Sequence, residues 1–394
     1  MNRLQIILAL LIFCSLPTLA DDSLVPHIQN PANPTGGVEK MKLTELWRAG
    51  GLDEDVIFGE IIDVVSDRSG NLYFLDHQLC QVMVFSEDGE HLRNLSREGE
   101  GPGDIQQPVD LLLMPEESLG IAMGFPGKIV RITYNDTSMT TLYPVGDPSD
   151  GGFGVLRGAK YEKGLLVACG GSVAFNQDGS GTNKRNLSIS DLSCQEPITF
   201  LEKSTPMLLA ERKYVETDEY YVIGRWDLSA EGRIYAAANR DRYEISVFDG
   251  KGQLTEIIER DYQPRRRSEE EKDAVGSDMR VVINGEEIQY ERQVEDYDEC
   301  VTRLFVGGDG TLWVLTPHGL NDLPEDTLEV WDLFDKDGKY IKQISIPLSA
   351  GLSSGRTFFL DQGKLVIISG TGAEDDSDES SEVEPMEIIC YQIG

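Results

Sequence analysis

Asp67-Arg68-Ser69-Gly70-Asn71-Leu72-Tyr73-Phe74-Leu75-Asp76 is the stretch that decides how this chain folds. Its first half is a turn: polar residues lead to a glycine, which takes positive φ at no steric cost. Its second half, Leu72 to Leu75, is an apolar run of strand length bounded by turn residues. Five other stretches read the same way. With Gly70 as anchor, the equivalents are Glu117, Gly164, Gly232, Gly310 and Gly363. Two residues beyond each anchor stands Leu72, Leu119, Leu166, Ile234, Leu312 or Leu365. A turn followed at fixed offset by Leu or Ile in every case is an internal repeat.

Each repeat continues with a third strand: Val82 to Phe85, Ile129 to Ile132, Leu187 to Ile189, Ile245 to Phe248, Leu328 to Trp331 and Ile388 to Tyr391. A fourth follows polar turns such as Ser86-Glu87-Asp88-Gly89, as in Leu254 to Ile258 or Tyr340 to Ile346. Four strands per unit, repeated around a ring, predict an all-β fold, a six-bladed β-propeller. The last repeat ends after its third strand, and a spare strand, Lys42 to Trp47, precedes the first. The N-terminal strand is therefore expected to complete the C-terminal blade, closing the ring without a long free edge.

Gly70 to Asp76, followed by Gln81-Val82-Met83-Val84-Phe85 and Asp88-Gly89, looks like an NHL-type repeat. Gly99-Glu100-Gly101-Pro102-Gly103, with Pro108 after it, is similar to the loop joining one such blade to the next. From about Lys40 the chain resembles the bacterial exported six-bladed propeller proteins related to NHL repeats. That resemblance implies a binding or scaffold module, since enzymes are few among those relatives.

The first twenty residues have the layout of a cleaved secretory signal: Met1-Asn2-Arg3, an apolar run from Leu4 to Leu16, and a small residue at Ala20. The expected organisation is a signal peptide over 1–20, a flexible tail over 21–40 and a propeller over 41–394, placed in the periplasm or outside the cell. The formal charge is −34, and loss of Arg3 with the signal makes it −35. Such a chain repels nucleic acid and anionic lipid, so neither is an expected partner, and no membrane insertion is expected. Five cysteines follow the signal, at 80, 169, 194, 300 and 390; Cys169 and Cys194 fall in one repeat, either bridged or free.

Three insertions lengthen the blades, at 175–185, 259–299 and 370–385. Ser268 to Val275 reads as a short helix, and Val281 to Ile288 as a hairpin around Asn284-Gly285. All three belong to the face that carries the blade-to-blade connections, where functional loops gather on a rigid scaffold. Seven residues before each anchor stand Asp63, Asp110, Arg157, Arg225, Arg303 and Arg356. Each is near the start of an innermost strand, so a ring of two carboxylates and four guanidinium groups is expected at the channel mouth. Like charges about 8 Å apart repel by roughly 2 kcal/mol at an effective dielectric near 20. Four arginines around one axis therefore need acceptors: each other's blades, or a bound anion held by forked hydrogen bonds.

The expected function is recognition of an anionic small molecule or acidic protein segment at this mouth and on the inserted face. Loss of both Arg225 and Arg303 is expected to remove it without unfolding the chain. The alternative is a metal-dependent propeller enzyme of lactonase or lyase type, but the four histidines are scattered and no zinc set is visible. No cofactor is expected. Calcium has one weak candidate, the loop Asn176, Asp178, Ser180 and Gly181, where position 187 is Leu and the closing Glu of an EF-hand is missing.

Overall fold

A computed structural model describes residues 25–51, 56–146, 154–175, 180–207, 213–277, 281–283, 286–288, 291–349, 352, 354–370 and 385–394. The signal segment, Asn176 and Asp178 lie outside them, as does most of the 370–385 insertion.

The fold is a six-bladed β-propeller. From the axis outward, blade 1 is Ile61–Ser66, Leu72–Asp76, Gln81–Phe85 and His91–Leu95. Blade 2 is Pro108–Met114, Ser118–Met123, Lys128–Thr133 and Ser138–Leu142. Blade 3 is Gly154–Glu162, Leu165–Phe175, Gly181–Ser190 and Ile198–Met207. Blade 4 is Trp226–Leu228, Ile234–Ala236, Glu244–Phe248 and Leu254–Arg260. Blade 5 is Arg303–Val306, Leu312–Leu315, Thr327–Phe334 and Tyr340–Pro347. Blade 6 is Arg356–Leu360, Lys364–Ser369 and Glu387–Ile393, closed by the N-terminal strand Leu43–Gly50 in antiparallel register with the last strand.

The repeat follows from two local demands. Every anchor has positive φ, from 50° at Glu117 to 86° at Gly164, because the turn from first to second strand passes through the left-handed region. Every residue two places on is at most 1% exposed. Each blade presses its two faces against two neighbours, so its middle strands are apolar on both sides; Leu72–Asp76 is buried throughout. The apolar core is correspondingly divided into six clusters, one in each seam between consecutive blades.

The segment read as a flexible tail contains strands. His27–Asn30 joins the outer edge of blade 4 and Val38–Lys40 the outer edge of blade 5, both in parallel, so each of these sheets has five strands. With Leu43–Gly50 in blade 6, the N-terminal segment binds three consecutive blades from outside. Asn30 is the clasp. Its amide donates to the Glu259 carbonyl at 3.0 Å and the Gly338 carbonyl at 2.9 Å, and its oxygen accepts the Tyr340 N–H at 2.9 Å.

The insertions are more regular than expected. Over 175–185 the strands themselves lengthen, pairing from Leu166↔Ser190 out to Phe175↔Gly181. In the 259–299 insertion the helix forms at Glu269–Ala274, started by a capping box in which Ser268 accepts the Glu271 N–H and Glu271 accepts the Ser268 N–H. Val281–Ile283 and Glu286–Ile288 pair as the expected hairpin. Among the described residues no helix is long and apolar enough to cross a membrane. Cys169 and Cys194 are both free thiols.

Candidate functional site at the channel mouth

The innermost strands of blades 1, 2 and 3 each bulge at the same place. Ile62, Val109 and Arg157 are the extra residues, and Asp63, Asp110 and Gly158 follow them in register with Leu75, Ala122 and Cys169. Arg303 and Arg356 hold the same register position in blades 5 and 6, opposite Leu315 and Ile368. In blade 4 the carbonyl of Arg225 accepts the Ala237 N–H at 2.9 Å, just ahead of the strand. Counting back seven residues is thus one residue out in blade 3. There Tyr161 pairs with Leu166, whereas in blade 1 Ser66 pairs with Leu72; the shorter turn puts Gly158 in the ring and Arg157 on the bulge.

These side chains reach toward the next blade. Asp63 accepts the Leu111 N–H of blade 2 at 2.9 Å, and Asp110 accepts the Ala159 N–H of blade 3 at 2.8 Å. Two residues past the ring position, where other blades carry Val65, Leu112, Phe305 and Phe358, blade 3 has Lys160 and blade 4 has Asp227. The Lys160 ammonium bonds Asp227 at 2.7 Å, and Asp227 accepts the Val306 N–H of blade 5 at 2.6 Å. Sequence reasoning missed both residues, although a charge in an otherwise apolar column was a visible signal.

Two of the four arginines are held in seams. Arg225 donates to the Val301 carbonyl at 2.8 Å and pairs with Glu299 at 2.5 Å. Arg303 pairs with Glu329, itself 2% exposed, and donates to the Thr357 carbonyl and hydroxyl of blade 6. Burial holds the Arg303 guanidinium below its ordinary pKa; Glu329 opposes this, and the charge of Arg356 adds to it. The other two differ. Arg157 and Arg356 are exposed, on opposite blades of the ring, and neither makes an ion pair among the described residues; Arg356 lies 4.9 Å over the Phe358 ring.

Both line a central cavity of about 720 Å³, together with Asp63, Asp110, Lys160, Asp227 and Arg303. Glu60 and Glu162 also line it and Arg225 does not, so the expected surplus of positive charge is offset by carboxylates the seven-residue count did not reach. Asp110 is pushed well above the usual carboxylate range, by burial first and then by the charge of Asp63. Burial opposes the charge on Lys160, but Asp227 and Asp110 outweigh it and raise its pKa. A second cavity of about 1230 Å³ opens over blades 6, 1 and 2 and shares Glu60, Ile62, His77 and Arg356 with the first. Among the described residues no group of three or more His, Cys, Asp or Glu side chains is arranged to hold a metal.

The 259–299 insertion is held by ion pairs within itself and by others that leave it, among them Arg267 to Glu216 and Arg265 to Asp322. Arg265 bonds Glu271 and Asp298, and Arg267 bonds Glu216 and Asp298, so two of the three arginines in the basic run are ion-paired.

No protein-family model matches the chain, and no curated protein is significantly similar to it. Solved structures share its architecture. A candidate exported protein of Bacteroides fragilis aligns over 93% of this chain and 99% of its own, at 10% identity and a TM-score of 0.48. A member of the DUF4221 family from Bacteroides vulgatus covers 90% and 99%, at 10% identity and 0.47. The calcium-binding protein regucalcin of Agrobacterium tumefaciens covers 92% and 94%, at 10% identity and 0.42. Likenesses this distant say nothing of what the chain binds.

Proposed function

We propose that the chain is an exported propeller, related to NHL-repeat proteins, that binds an anionic ligand at the channel mouth. One observation carries this reading: Arg157 and Arg356 line one cavity from opposite blades with no carboxylate partner among the described residues. A guanidinium group offers up to five donors in a fixed fork suited to carboxylate or phosphate. The export half rests on the signal-like layout of residues 1–20. Binding is preferred to metal-dependent catalysis because the axis carries guanidinium groups and a lysine already bonded to Asp227, where such an enzyme would place a cluster of metal ligands.

Thermal melts across a panel of carboxylates and phosphates test the proposal. At least one anion should raise the melting temperature in a saturable way, and Arg157→Ala with Arg356→Ala should abolish that rise while the circular dichroism spectrum is unchanged. A rise that survives the double substitution, or none for any anion, overturns it.

A further inference from the structure

The channel wall carries both signs of charge in a fixed order. Running round the channel wall, blade 6 contributes Arg356, blade 1 Asp63 and blade 2 Asp110 at the ring position, and blade 3 adds Arg157 from its bulge, so two neighbouring carboxylates stand between blades that carry guanidinium groups. None of the four is ion-paired with another. The carboxylates take their hydrogen bonds from backbone: Asp63 from Val64 at 2.8 Å and Leu111 at 2.9 Å, Asp110 from Leu111 at 3.0 Å and Ala159 at 2.8 Å. Asp110 is also hydrogen-bonded to Asp63, and an ionised carboxyl accepts about four hydrogen bonds, so the pair keeps acceptor capacity. Lys160 is the cation beside them, and its ammonium is bonded to Asp227.

From this order we infer that the channel binds a small zwitterion, an amino acid or short peptide, with its ammonium on Asp63 and Asp110 and its carboxylate on Arg157 or Arg356. The inference rests on the anion-binding reading above and specifies the ligand class for that site. A simple anion in this cavity also faces two carboxylates, and a simple cation also faces two guanidinium groups. A ligand with both charges pairs with both, and each charge-assisted bond is about twice as strong as a neutral one. The Asp63–Asp110 pair is also strained by its own charge: burial and Asp63 keep Asp110 protonated above the ordinary range. An ammonium beside the pair favours the ionised form of Asp110, so its binding should lower the raised Asp110 pKa.

Titration calorimetry with four probe types tests this: butyrate, butylamine, a series from glycine through 4-aminobutyrate to 6-aminohexanoate, and triglycine. At least one zwitterion should bind about tenfold tighter than butyrate, equivalent to about 1.4 kcal/mol, and the best chain length reports the spacing between the charges. Asp63→Asn keeps an acceptor oxygen for Leu111 and should bring that zwitterion down to the affinity of butyrate. Repeating the wild-type titration in buffers of different ionisation enthalpy should reveal proton release with the zwitterion and none with butyrate; this measurement needs no variant. If butyrate binds and no zwitterion binds tighter, the inference fails and the anion reading survives. If butylamine equals the best zwitterion, the carboxylate contact is wrong and the inference fails. If no carboxylate-bearing probe binds and no other anion does, both fail together.

Discussion

The carboxylate of Asp63 in blade 1 accepts the backbone N–H of Leu111 in blade 2 at 2.9 Å, tying two inner strands that belong to different sheets. Asp110 repeats the contact to Ala159 of blade 3, Asp227 to Val306 of blade 5, and Arg303 reaches Thr357 of blade 6. In each case the side chain points to the next blade in sequence. Polar side chains near the axis therefore have two duties, holding seams and facing the channel, and substitutions separate them.

Asp63→Ala removes an acceptor from a seam and should cost about 1–3 kcal/mol, the usual cost of leaving a buried polar group short of a partner. Urea unfolding measures it. Asp63→Asn should cost clearly less, because one oxygen remains for Leu111. Equal losses would mean that the contact to Leu111 contributes little.

Arg303 and Arg356 occupy the same register position in adjacent blades but should respond differently to replacement by alanine. Arg303→Ala leaves Glu329 buried beside Trp331 without its cation and should cost about 3–5 kcal/mol. Adding Glu329→Gln should recover part of that loss. Arg356→Ala, at an exposed position, should stay within about 0.5 kcal/mol of wild type while weakening anion binding. Arg225 and Arg303 are held in seams, and Arg303 lines the cavity as well; denaturation curves of the Arg303 and Arg356 variants test how far the two roles separate.

The ring of six blades was legible because its two determinants are local. Glu117 is the instructive anchor: it is no glycine, yet its φ of 50° shows that the turn imposed the left-handed backbone on it, so alignment by position was sound. Leu72 and its five equivalents were equally readable, since every seam needs an apolar residue there. The site was less legible for a geometric reason. A turn one residue shorter in blade 3 shifted Arg157 off the ring, and sequence spacing alone does not report such a slip. The partners Glu299 and Glu329 come from outside the innermost strands, so no periodicity points to them. His27–Asn30 was missed because a short parallel strand on an outer edge takes its stability from the edge it meets and has little alternation of its own.

Asp110 makes stability depend on pH with a definite sign. Its folded pKa lies above the unfolded value of 3.8, so the folded state binds the proton more tightly. The stabilisation is complete below about pH 4 and is lost as pH rises through the raised value. Asp110→Asn mimics the protonated form, keeping an oxygen for Ala159 and an amide that donates to Asp63. Melts of both proteins from about pH 4 to pH 8 should show the variant gaining on wild type as pH rises. A constant difference would show that Asp110 holds its proton no more tightly in the folded state than in the unfolded one.

Asn30 tests whether the N-terminal segment is a structural belt. Its side chain is 6% exposed and fastens the outer strand of blade 4 to the turn that opens the outer strand of blade 5. Asn30→Ala leaves those carbonyl and amide partners without it and should cost about 1–3 kcal/mol by urea unfolding. Asn30→Asp should cost more, since it turns a negative oxygen toward the carbonyls of Glu259 and Gly338. Amide hydrogen exchange locates the effect. The N–H groups of Tyr340, bonded to the Asn30 side chain, and of Asp261, bonded to its carbonyl, should exchange faster in both variants. Amides of blade 2, which the belt does not touch, should keep their protection. Uniform loss of protection around the ring would mean instead that the belt and the propeller unfold as a single cooperative unit.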